Sequence, residues 1–271
     1  MPEGPEVKTI TDELNNLLIN KQFMTFEILG GRYKNKYPEN FELFQKSLPL
    51  KINKINCKGK FIWFDLDNDW SIWNTLGMSG GWHIHGHKPI KHSDIKIMVD
   101  NLELWFTDQR HFGTFKFCND KDKLEKKLAS IGPDLLSDDS YTKDQFINKI
   151  KKYKNHALPK ILMEQKIFSG IGNYLKAEIL YASKISPLRK IEFISDAELE
   201  VLFDNIKKII KNSYLAKGAT IRNYSDLSNN SGSYSFEFEV YNRKTDKNGF
   251  SVIKTETNDK RTTHWVKEIQ I

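Results

Sequence analysis

The sequence has only two cysteines among its 271 residues, Cys57 and Cys118. They lie far apart and lack the close spacing of metal ligands, which argues against a structural zinc site and fits a reducing compartment. Long apolar runs are also missing, so no segment is expected to cross a membrane. Because no basic and then apolar leader ends in a cleavage site, nothing marks the chain for secretion. These absences predict a globular protein that stays inside the cell.

Positive charge, by contrast, is in excess: 42 lysines and arginines stand against 35 aspartates and glutamates, a formal net charge of +7. A basic balance favours a polyanionic partner such as nucleic acid. The alternative is a solvated surface, which many lysine-rich proteins carry. With 39 % hydrophobic residues, a chain of this length can bury a full core in one large or two moderate domains.

The first half of the chain has the pattern of a β-sandwich behind an N-terminal helix. That helix is predicted from an apolar stripe at helical spacing, formed by Val7, Ile10, Leu14, Leu17 and Leu18. Short segments rich in aromatic and β-branched residues follow, at 21–30, 51–55, 60–66, 70–75, 95–99, 102–107 and 114–117. Regular spacing of such short strands is typical of a sandwich.

The second half begins as a group of helices. Thr142 with Gln145, and Ser195 with Glu198, have the spacing of capping boxes and predict two helix starts. Two more helices are expected over 158–168 and 174–183, and the alternating pattern returns near the C-terminus as a β-hairpin. The prediction is therefore an α+β protein.

The expected domain boundaries follow from these patterns. Residues 1–131 form the sandwich domain, 132–141 a polar linker, 142–235 the helical domain and 236–271 the hairpin.

The first residues, Met-Pro-Glu-Gly-Pro-Glu, combine an amine, a carboxylic acid and a helix start. Removal of Met1 would leave Pro2 with a free secondary amine, which is a ready nucleophile once unprotonated. Glu3 follows directly, and Pro5 suits the first position of a helix whose positive end would face both groups. The alternative is a frayed lead-in to a helix.

Two turns could hold phosphate. In Gly170-Ile171-Gly172-Asn173, glycines allow close approach of the backbone, the next helix offers N–H groups and Asn173 adds a donor. A tight helix-helix turn explains the glycines equally well. Nearby lysines could track a nucleic-acid backbone or form a solvated face; they are Lys143, Lys149, Lys151, Lys152, Lys154 and Lys160. In Lys58-Gly59-Lys60, where a predicted strand opens, one of the two lysines could reach a phosphate; the alternative is a solubilising strand end.

Met78, Arg110 and Phe112 lie in glycine-containing turns, and their shape, charge and stacking suit side chains that fill the space left by an extruded nucleotide. The alternative is that Met78 and Phe112 are ordinary core residues. His83, His85 and His87 would project to one face of a strand, but no carboxylate or cysteine nearby completes a metal site.

Six blocks, MPEGPEV, CKGKF, LGMSGGW, DQRHFGTF, SGIGNYLKAEILYASKISP and KRTTHW, together resemble the formamidopyrimidine-DNA glycosylase and endonuclease VIII family. They occur in the family's order over nearly the whole chain. The resemblance implies an N-terminal helix-flanked β-sandwich, a C-terminal helix-two-turn-helix domain and a finger β-hairpin. It also implies a DNA glycosylase that excises oxidised bases and, as an AP lyase, cuts the strand at the abasic site.

The resemblance assigns roles to individual residues. Pro2 is expected to be the nucleophile, Glu3 the general acid and Glu6 a support for the sugar. Lys60, Asn173 and Arg261 are expected to bind phosphate, with Lys60 also part of the catalytic group. Met78, Arg110 and Phe112 match the residues that fill the void. The expected partner is double-stranded DNA with oxidised bases or abasic sites, bound by a monomer without a metal or organic cofactor.

The finger departs from the zinc-binding members of the family, because residues 240–271 contain no cysteine. This resembles the zincless-finger Nei-like members of vertebrates and giant viruses, with Phe250, Val252, Trp265 and Val266 expected to pack the hairpin. The location would then be a nucleus or viral factory, and otherwise the cytoplasm. The stretch from Gly218 to Tyr234 opens like the loop that caps an oxidised purine. The alternative function is a protein that binds damaged or bent DNA without chemistry.

Overall fold

The computed structural model describes residues 1–84, 91–219, 227, 232–234 and 238–271. These residues group into two compact units, each described below by itself. The first contains Met1–Pro2, Glu6–Ser130 and Lys217–Ser233, and the second contains Glu3–Pro5, Ile131–Ala216 and Tyr234–Ile271. The predicted α+β class is confirmed. Within the described ranges, no helix is long and apolar enough to cross a membrane.

The first unit is built on eight antiparallel strands in the order β5-β7-β6-β1-β2-β3-β4-β8. Their bounds are β1 Gln22–Ile28, β2 Leu50–Lys58, β3 Phe61–Leu66, β4 Ser71–Thr75, β5 Gly80–Ile84, β6 Ser93–Val99, β7 Leu102–Asp108 and β8 Thr114–Cys118. Strands β1 and β2 pair over only two residues, so the sheet divides there into the two layers of the predicted sandwich. Side chains from both layers fill the core, including Phe26 and Trp82 of one layer and Phe64 of the other.

Helix α1 (Gly4–Leu18) supplies the apolar stripe that the sequence predicts, with Val7, Ile10, Leu14 and Leu18 at most 1 % exposed. Two shorter helices also belong to the first unit, α2 (Phe41–Ser47) and α3 (Lys121–Ala129). Helix α2 is not predicted, because it is only seven residues long and its first residue follows Asn40, which makes no side-chain capping bond.

Strand β5 begins inside a predicted turn, which the structure keeps only at 77–79. The sequence Gly-Met-Ser-Gly-Gly indicates a loop, yet Gly80 already pairs with Asp108 of β7. A Cβ atom on Gly80 would lie 2.3 Å from the carbonyl oxygen of Leu76, so a side chain here would clash. Glycine is therefore used for close packing of the strand as well as for the turn before it.

The described part of the second unit contains four α-helices: α4 (Lys143–Lys151), α5 (Leu158–Met163), α6 (Asn173–Ala182) and α7 (Asp196–Leu215). Both predicted capping boxes are confirmed: Thr142 caps α4 with Gln145, and Ser195 caps α7 with Glu198. The prediction of one helix over 158–168 is wrong beyond Met163, where the chain becomes extended at Glu164.

Gln165 explains why that helix ends early. Its side-chain amide donates to the carbonyl oxygens of Met163 and Ile171, at 3.0 and 2.9 Å, and its amide oxygen accepts from the N–H of Gly170 at 3.0 Å. A side chain that satisfies backbone groups in this way stabilises a turn in place of a continued helix. The turn leads directly into α6.

The C-terminal hairpin consists of β9 (Ile253–Glu256) and β10 (Thr262–Trp265), as predicted. Trp265 and Val266 are buried, and Val252 packs against the cluster that contains Val266. Phe250, by contrast, is 41 % exposed, so its expected place in the packing is wrong.

Polar bonds to α6 hold the segment that precedes and includes the hairpin. The Glu178 carboxylate accepts from the N–H groups of Glu239, Val240 and Tyr241 at 2.7–3.1 Å. Burial raises the pKa of Glu178 against the effect of these donors. One turn later, the Tyr181 hydroxyl donates to Asp246 at 2.8 Å. The segment is thus fixed to one helix face without any cysteine.

The unit boundaries differ from the expected domains at 217–233, which the sequence assigns to the second domain. Bonds to α1 account for the difference. The N–H of Ala219 donates to Glu6 at 2.7 Å, and the N–H of Leu227 donates to Glu13 at 3.0 Å. These bonds join the described part of the stretch to the first unit.

Candidate active site

Glu3 is buried and held by the start of α6. Its two carboxylate oxygens accept hydrogen bonds from the N–H groups of Tyr174 and Leu175, at 3.0 and 3.3 Å, and the residue is 2 % exposed. The first N–H groups of a helix have no partner within the helix, and the helix dipole favours a negative charge there. The sequence predicts a phosphate for these N–H groups, whereas two of them bind Glu3.

Gly172 makes this approach possible. A Cβ atom at this position would lie 2.2 Å from the carboxyl carbon of Glu3, which is far inside van der Waals contact. The N–H of Gly4 also donates to the carbonyl oxygen of Gly170 at 2.8 Å. Gly170 and Gly172 thus both lie against the first residues of the chain. Helix α1 begins at Gly4, one residue before Pro5, where the sequence predicts its start. Pro2 is joined to Glu3 by their peptide bond.

Asn173 and the finger hairpin are in direct contact. The side-chain amide of Asn173 donates to the carbonyl oxygen of Thr262 at 3.1 Å. Thr262 follows Arg261, which is exposed in the turn between β9 and β10. The structure therefore brings Asn173 and the chain at Arg261 together.

A cavity of about 380 Å³ opens at this turn. It is lined by Lys160, Met163, Glu164, Asn258, Asp259, Lys260 and Arg261. Three of the lining side chains are cationic and two are carboxylates, of which Asp259 is paired with Lys176. The N–H of Lys160 donates to Asn258 at 3.2 Å. A basic cavity of this kind suits an anionic group such as phosphate.

Lys60 lies in the first unit, in the two-residue turn between β2 and β3, where Gly59 has a φ of 58°. The side chain of the neighbouring Lys58 is bonded within the protein: its ammonium donates to the carbonyl oxygen of Leu128 at 2.9 Å. Lys60 is half-buried, and the family resemblance makes it the phosphate candidate of the two lysines around Gly59.

Glu6 is fully buried within the first unit, where it accepts from the N–H of Ala219. Gly218 has a φ of +83°, and a Cβ atom there would lie 2.6 Å from Glu6 Cγ. Glu6 therefore fixes the beginning of the stretch that resembles a lesion-capping loop. Most of that stretch, at 220–226 and 228–231, lies outside the described residues.

The three expected void-filling residues meet at one edge of the first unit. The guanidinium of Arg110 donates to the sulfur of Met78 at 3.3 Å. A Cβ atom on Gly77 would lie 2.7 Å from the backbone of Phe112, so the two turns are in contact. Phe112 is 55 % exposed, and it is therefore not the core residue that the alternative interpretation assumes.

Asp108 organises these turns, and sequence reasoning missed it. Its carboxylate is fully buried and accepts from the Ser79 hydroxyl, the N–H of Arg110 at 3.1 Å and the N–H of Gly113 at 2.6 Å. His111, between them, hydrogen-bonds Asp94 at 2.8 Å. Burial raises the pKa of Asp94, although this bond opposes the shift. The only local signal is an aspartate at the end of an apolar strand.

The histidine cluster is only partly described. His83 hydrogen-bonds the hydroxyl of Thr107 at 3.0 Å, while His85 and His87 lie outside the described residues. Among the residues that the structure does describe, no group of three or more His, Cys, Asp or Glu side chains could hold a metal ion.

Comparison with known proteins identifies the family of this chain. Residues 1–115 match the N-terminal domain of formamidopyrimidine-DNA glycosylase, and residues 131–225 match its H2TH domain. A formamidopyrimidine-DNA glycosylase of Mycoplasma mobile is 31 % identical, with 90 % of this chain and 88 % of the relative covered. The chain belongs to the formamidopyrimidine-DNA glycosylase family.

Other family members agree over the whole length. The formamidopyrimidine-DNA glycosylase of Carboxydothermus hydrogenoformans is 32 % identical, and all of both chains is covered. A Lactococcus lactis FPG mutant, solved with DNA containing Fapy-dG, shares 26 % identity, covers 99 % of both chains and gives a TM-score of 0.88. The L. lactis enzyme with abasic-site DNA gives a TM-score of 0.87 at 26 % identity. These matches support a DNA glycosylase of base excision repair that takes lesion-containing DNA.

Proposed function

We propose that this formamidopyrimidine-DNA glycosylase family member is bifunctional: it excises oxidised bases from duplex DNA and then, as an AP lyase, breaks the strand by β,δ-elimination. The observation that carries the proposal is the buried carboxylate of Glu3, the residue that follows Pro2. Two backbone N–H groups at the start of α6 hold this carboxylate. A binding protein has no need of a fixed carboxylate beside a terminal amine. The amine requires removal of Met1.

The chemistry proceeds through an imine cation. The Pro2 nitrogen attacks the anomeric carbon of the extruded nucleotide, and the bond from that carbon to the base breaks, so that the base leaves with a proton. Glu3 supplies the proton to the sugar ring oxygen as the ring opens and the iminium forms. The iminium withdraws electrons, so a proton is lost from the neighbouring carbon and the 3′ phosphate leaves. A second elimination releases the 5′ phosphate, and water then frees Pro2.

The remaining residues act on the DNA. Lys60, Asn173 and Arg261 bind the backbone around the lesion, Met78, Arg110 and Phe112 occupy the vacated stack, and Glu6 supports the sugar. Contact of Asn173 with Thr262 and of Arg110 with Met78 supports these two groupings. The finger is of the zincless type, since residues 240–271 lack cysteine. The divisions at 131, 141 and 235, the monomeric state and an intracellular location stay predictions.

Borohydride trapping tests the mechanism. Reduction of a mixture with abasic duplex adds hydride to the iminium and fixes the DNA to the amine, and peptide mass spectrometry locates the bond. We expect the adduct on Pro2 of a chain that has lost Met1. An adduct elsewhere, or none while the strand is still cut, overturns the assignment.

Two variants sharpen this experiment. A form with an N-terminal extension should bind abasic DNA yet leave it uncut, because its proline nitrogen is an amide. Glu3→Gln keeps the shape but removes the acid, and it should slow base excision by about 10²–10⁴-fold, the usual contribution of a general acid. Unchanged excision by Glu3→Gln would contradict the role of Glu3.

The alternative is a protein that recognises damaged or bent DNA without cutting it. The basic cavity at the finger turn is the observation in its favour, since it serves binding alone. A nicking assay on an abasic duplex separates the two functions, because a binder would shift the duplex in a gel and leave it whole. A panel of oxidised pyrimidines, ring-opened purines, hydantoins and 8-oxoguanine in one duplex then ranks the substrates.

A further inference from the structure

Lys176 is a lysine with no solvent exposure at all, in the second turn of the helix that begins at Asn173. Its ammonium donates to a carboxylate oxygen of Asp259 at 2.6 Å, and the Asp259 side chain is 4 % exposed. Burial of two charges is costly, and such pairs are weak evidence for stability. Stability alone therefore does not account for this pair.

Asp259 closes the turn that carries Arg261. Its second carboxylate oxygen accepts from the Thr257 hydroxyl at 2.6 Å and faces the N–H of Arg261 at 3.4 Å. The N–H of Thr257 donates to the carbonyl oxygen of Arg261 at 3.1 Å. Since Lys176 fixes Asp259, it also fixes the turn between β9 and β10 on which the exposed guanidinium stands.

The same helix holds the other groups around this turn. Asn173 donates to Thr262, and the N–H groups that follow Asn173 hold Glu3. Burial lowers the pKa of Lys176, and the positive charge of Arg261 lowers it further. The negative charges of Asp259 and Glu3 act in the opposite direction and raise this pKa. Lys176 thus lies within electrostatic range of both Glu3 and Arg261, although it is itself buried.

We propose that Lys176, through Asp259, is a positioning residue that places the Arg261 guanidinium for a DNA phosphate in register with Glu3. The proposal rests on the proposed DNA-binding role of Arg261. Lys176 itself contacts no DNA in this account, because it has no exposed surface. Its loss should therefore reproduce the loss of Arg261 and add nothing to it.

Salt dependence measures this directly. Binding of a duplex with a tetrahydrofuran abasic analogue is followed by fluorescence anisotropy over a range of salt, so no Pro2 chemistry is needed. Loss of one phosphate contact lowers the slope of log K against log salt by about 0.9. We expect this decrease in slope for Arg261→Ala and for Lys176→Met. The double variant should show the same decrease as each single variant. Additive effects, or a wild-type slope for Lys176→Met, would overturn the proposal.

Two further variants separate positioning from folding. Lys176→Met with Asp259→Asn leaves no buried unpaired charge, so thermal stability should return towards wild type while the slope stays low. Thr257→Val keeps the buried pair and loosens the turn, and it should lower the slope even if Lys176→Met fails to fold. A wild-type slope in both variants refutes the role. Lys211→Met, an exposed lysine on α7, is the control and should leave the slope unchanged.

Steady-state kinetics provide a second measurement, because a purely structural role would not raise KM while leaving kcat nearly unchanged. KM for the abasic duplex should rise about tenfold in the Lys176→Met, Asp259→Asn variant, with kcat within about threefold of wild type. A fall in kcat alone contradicts positioning of the phosphate ligand. If the wild-type chain binds the analogue but never cuts abasic DNA, the proposed lyase fails and the binding test of Lys176 still stands.

Discussion

The carboxylate of Glu3 accepts a 3.0 Å hydrogen bond from the backbone N–H of Tyr174, a residue 171 positions further along the chain. An acidic group at the start of the chain is therefore held by the N-terminus of a helix from the other half of the sequence. This arrangement depends on the absence of a side chain at Gly172.

Gly172→Ala should displace Glu3. The added Cβ would lie 2.2 Å from its carboxyl carbon, so either the helix start or the acid must move. We expect a loss of about 1–3 kcal/mol in the free energy of unfolding, as for other overpacked sites, together with slower base excision. Urea unfolding and single-turnover kinetics measure the two effects. Gly81→Ala, where the nearest atom is 3.5 Å away, is the matched control.

Phe112→Ala should reduce activity without reducing stability. The ring is 55 % exposed, so the free energy of unfolding should change by less than about 0.5 kcal/mol. Loss of one stacking contact costs about 1–3 kcal/mol, which predicts slower excision from duplex DNA by about 5- to 150-fold. Phe106→Ala, at a ring 1 % exposed, should instead cost about 3–5 kcal/mol in stability. Equal rates for Phe112→Ala and wild type would contradict void filling.

Glu198 should make the helical unit sensitive to acid. The Arg189 guanidinium lowers the pKa of Glu198 to about 2, against burial and with help from Ser195. A carboxyl whose pKa is depressed on folding stabilises the protein above its unfolded value near 4.5, and this contribution is lost as the pH falls towards 2. The difference in melting temperature between wild type and Glu198→Gln should therefore shrink from pH 6 to pH 3. A constant difference would contradict this linkage.

The finger should depend on Asp246 and remain intact in chelators. This buried carboxylate accepts from the Tyr181 hydroxyl and the N–H groups of Asn248 and Phe250, at 2.8–2.9 Å. Asp246→Ala leaves these donors unsatisfied and should cost about 1–3 kcal/mol in the free energy of unfolding. Asp139→Asn, at a side chain 99 % exposed, is the control. Treatment with 1,10-phenanthroline should change neither DNA binding nor melting temperature, and a clear loss would show that a metal holds the finger.

Local sequence signals predicted the local structure well. The capping boxes at Thr142 and Ser195 were found from spacing alone, because both partners lie within one helical turn. The sandwich followed from short alternating segments, although the glycines at 80 and 81 hid where β5 begins. The helix after Leu158 was overextended, since Gln165 ends it through partners that no periodicity reveals.

Charged residues with distant partners could not be predicted. Lys176 and Asp108 look like surface residues in the sequence, yet both are fully buried. Lys176 finds its partner 83 positions away, and Asp108 finds Ser79 29 positions away. Pro2 and Glu3, by contrast, could be singled out as candidates, because neighbouring residues and the family pattern mark them together.

The side chains of α6 that bind the C-terminal segment also limit how this protein can be divided. Lys176, Glu178 and Tyr181 are each at most 6 % exposed, and each bonds a residue beyond position 238. Deletion of the segment would uncover an ammonium, a carboxylate and a phenol within an apolar helix face. The finger is thus not an interchangeable module. It should exchange its amide hydrogens together with α6, as one cooperative folding unit.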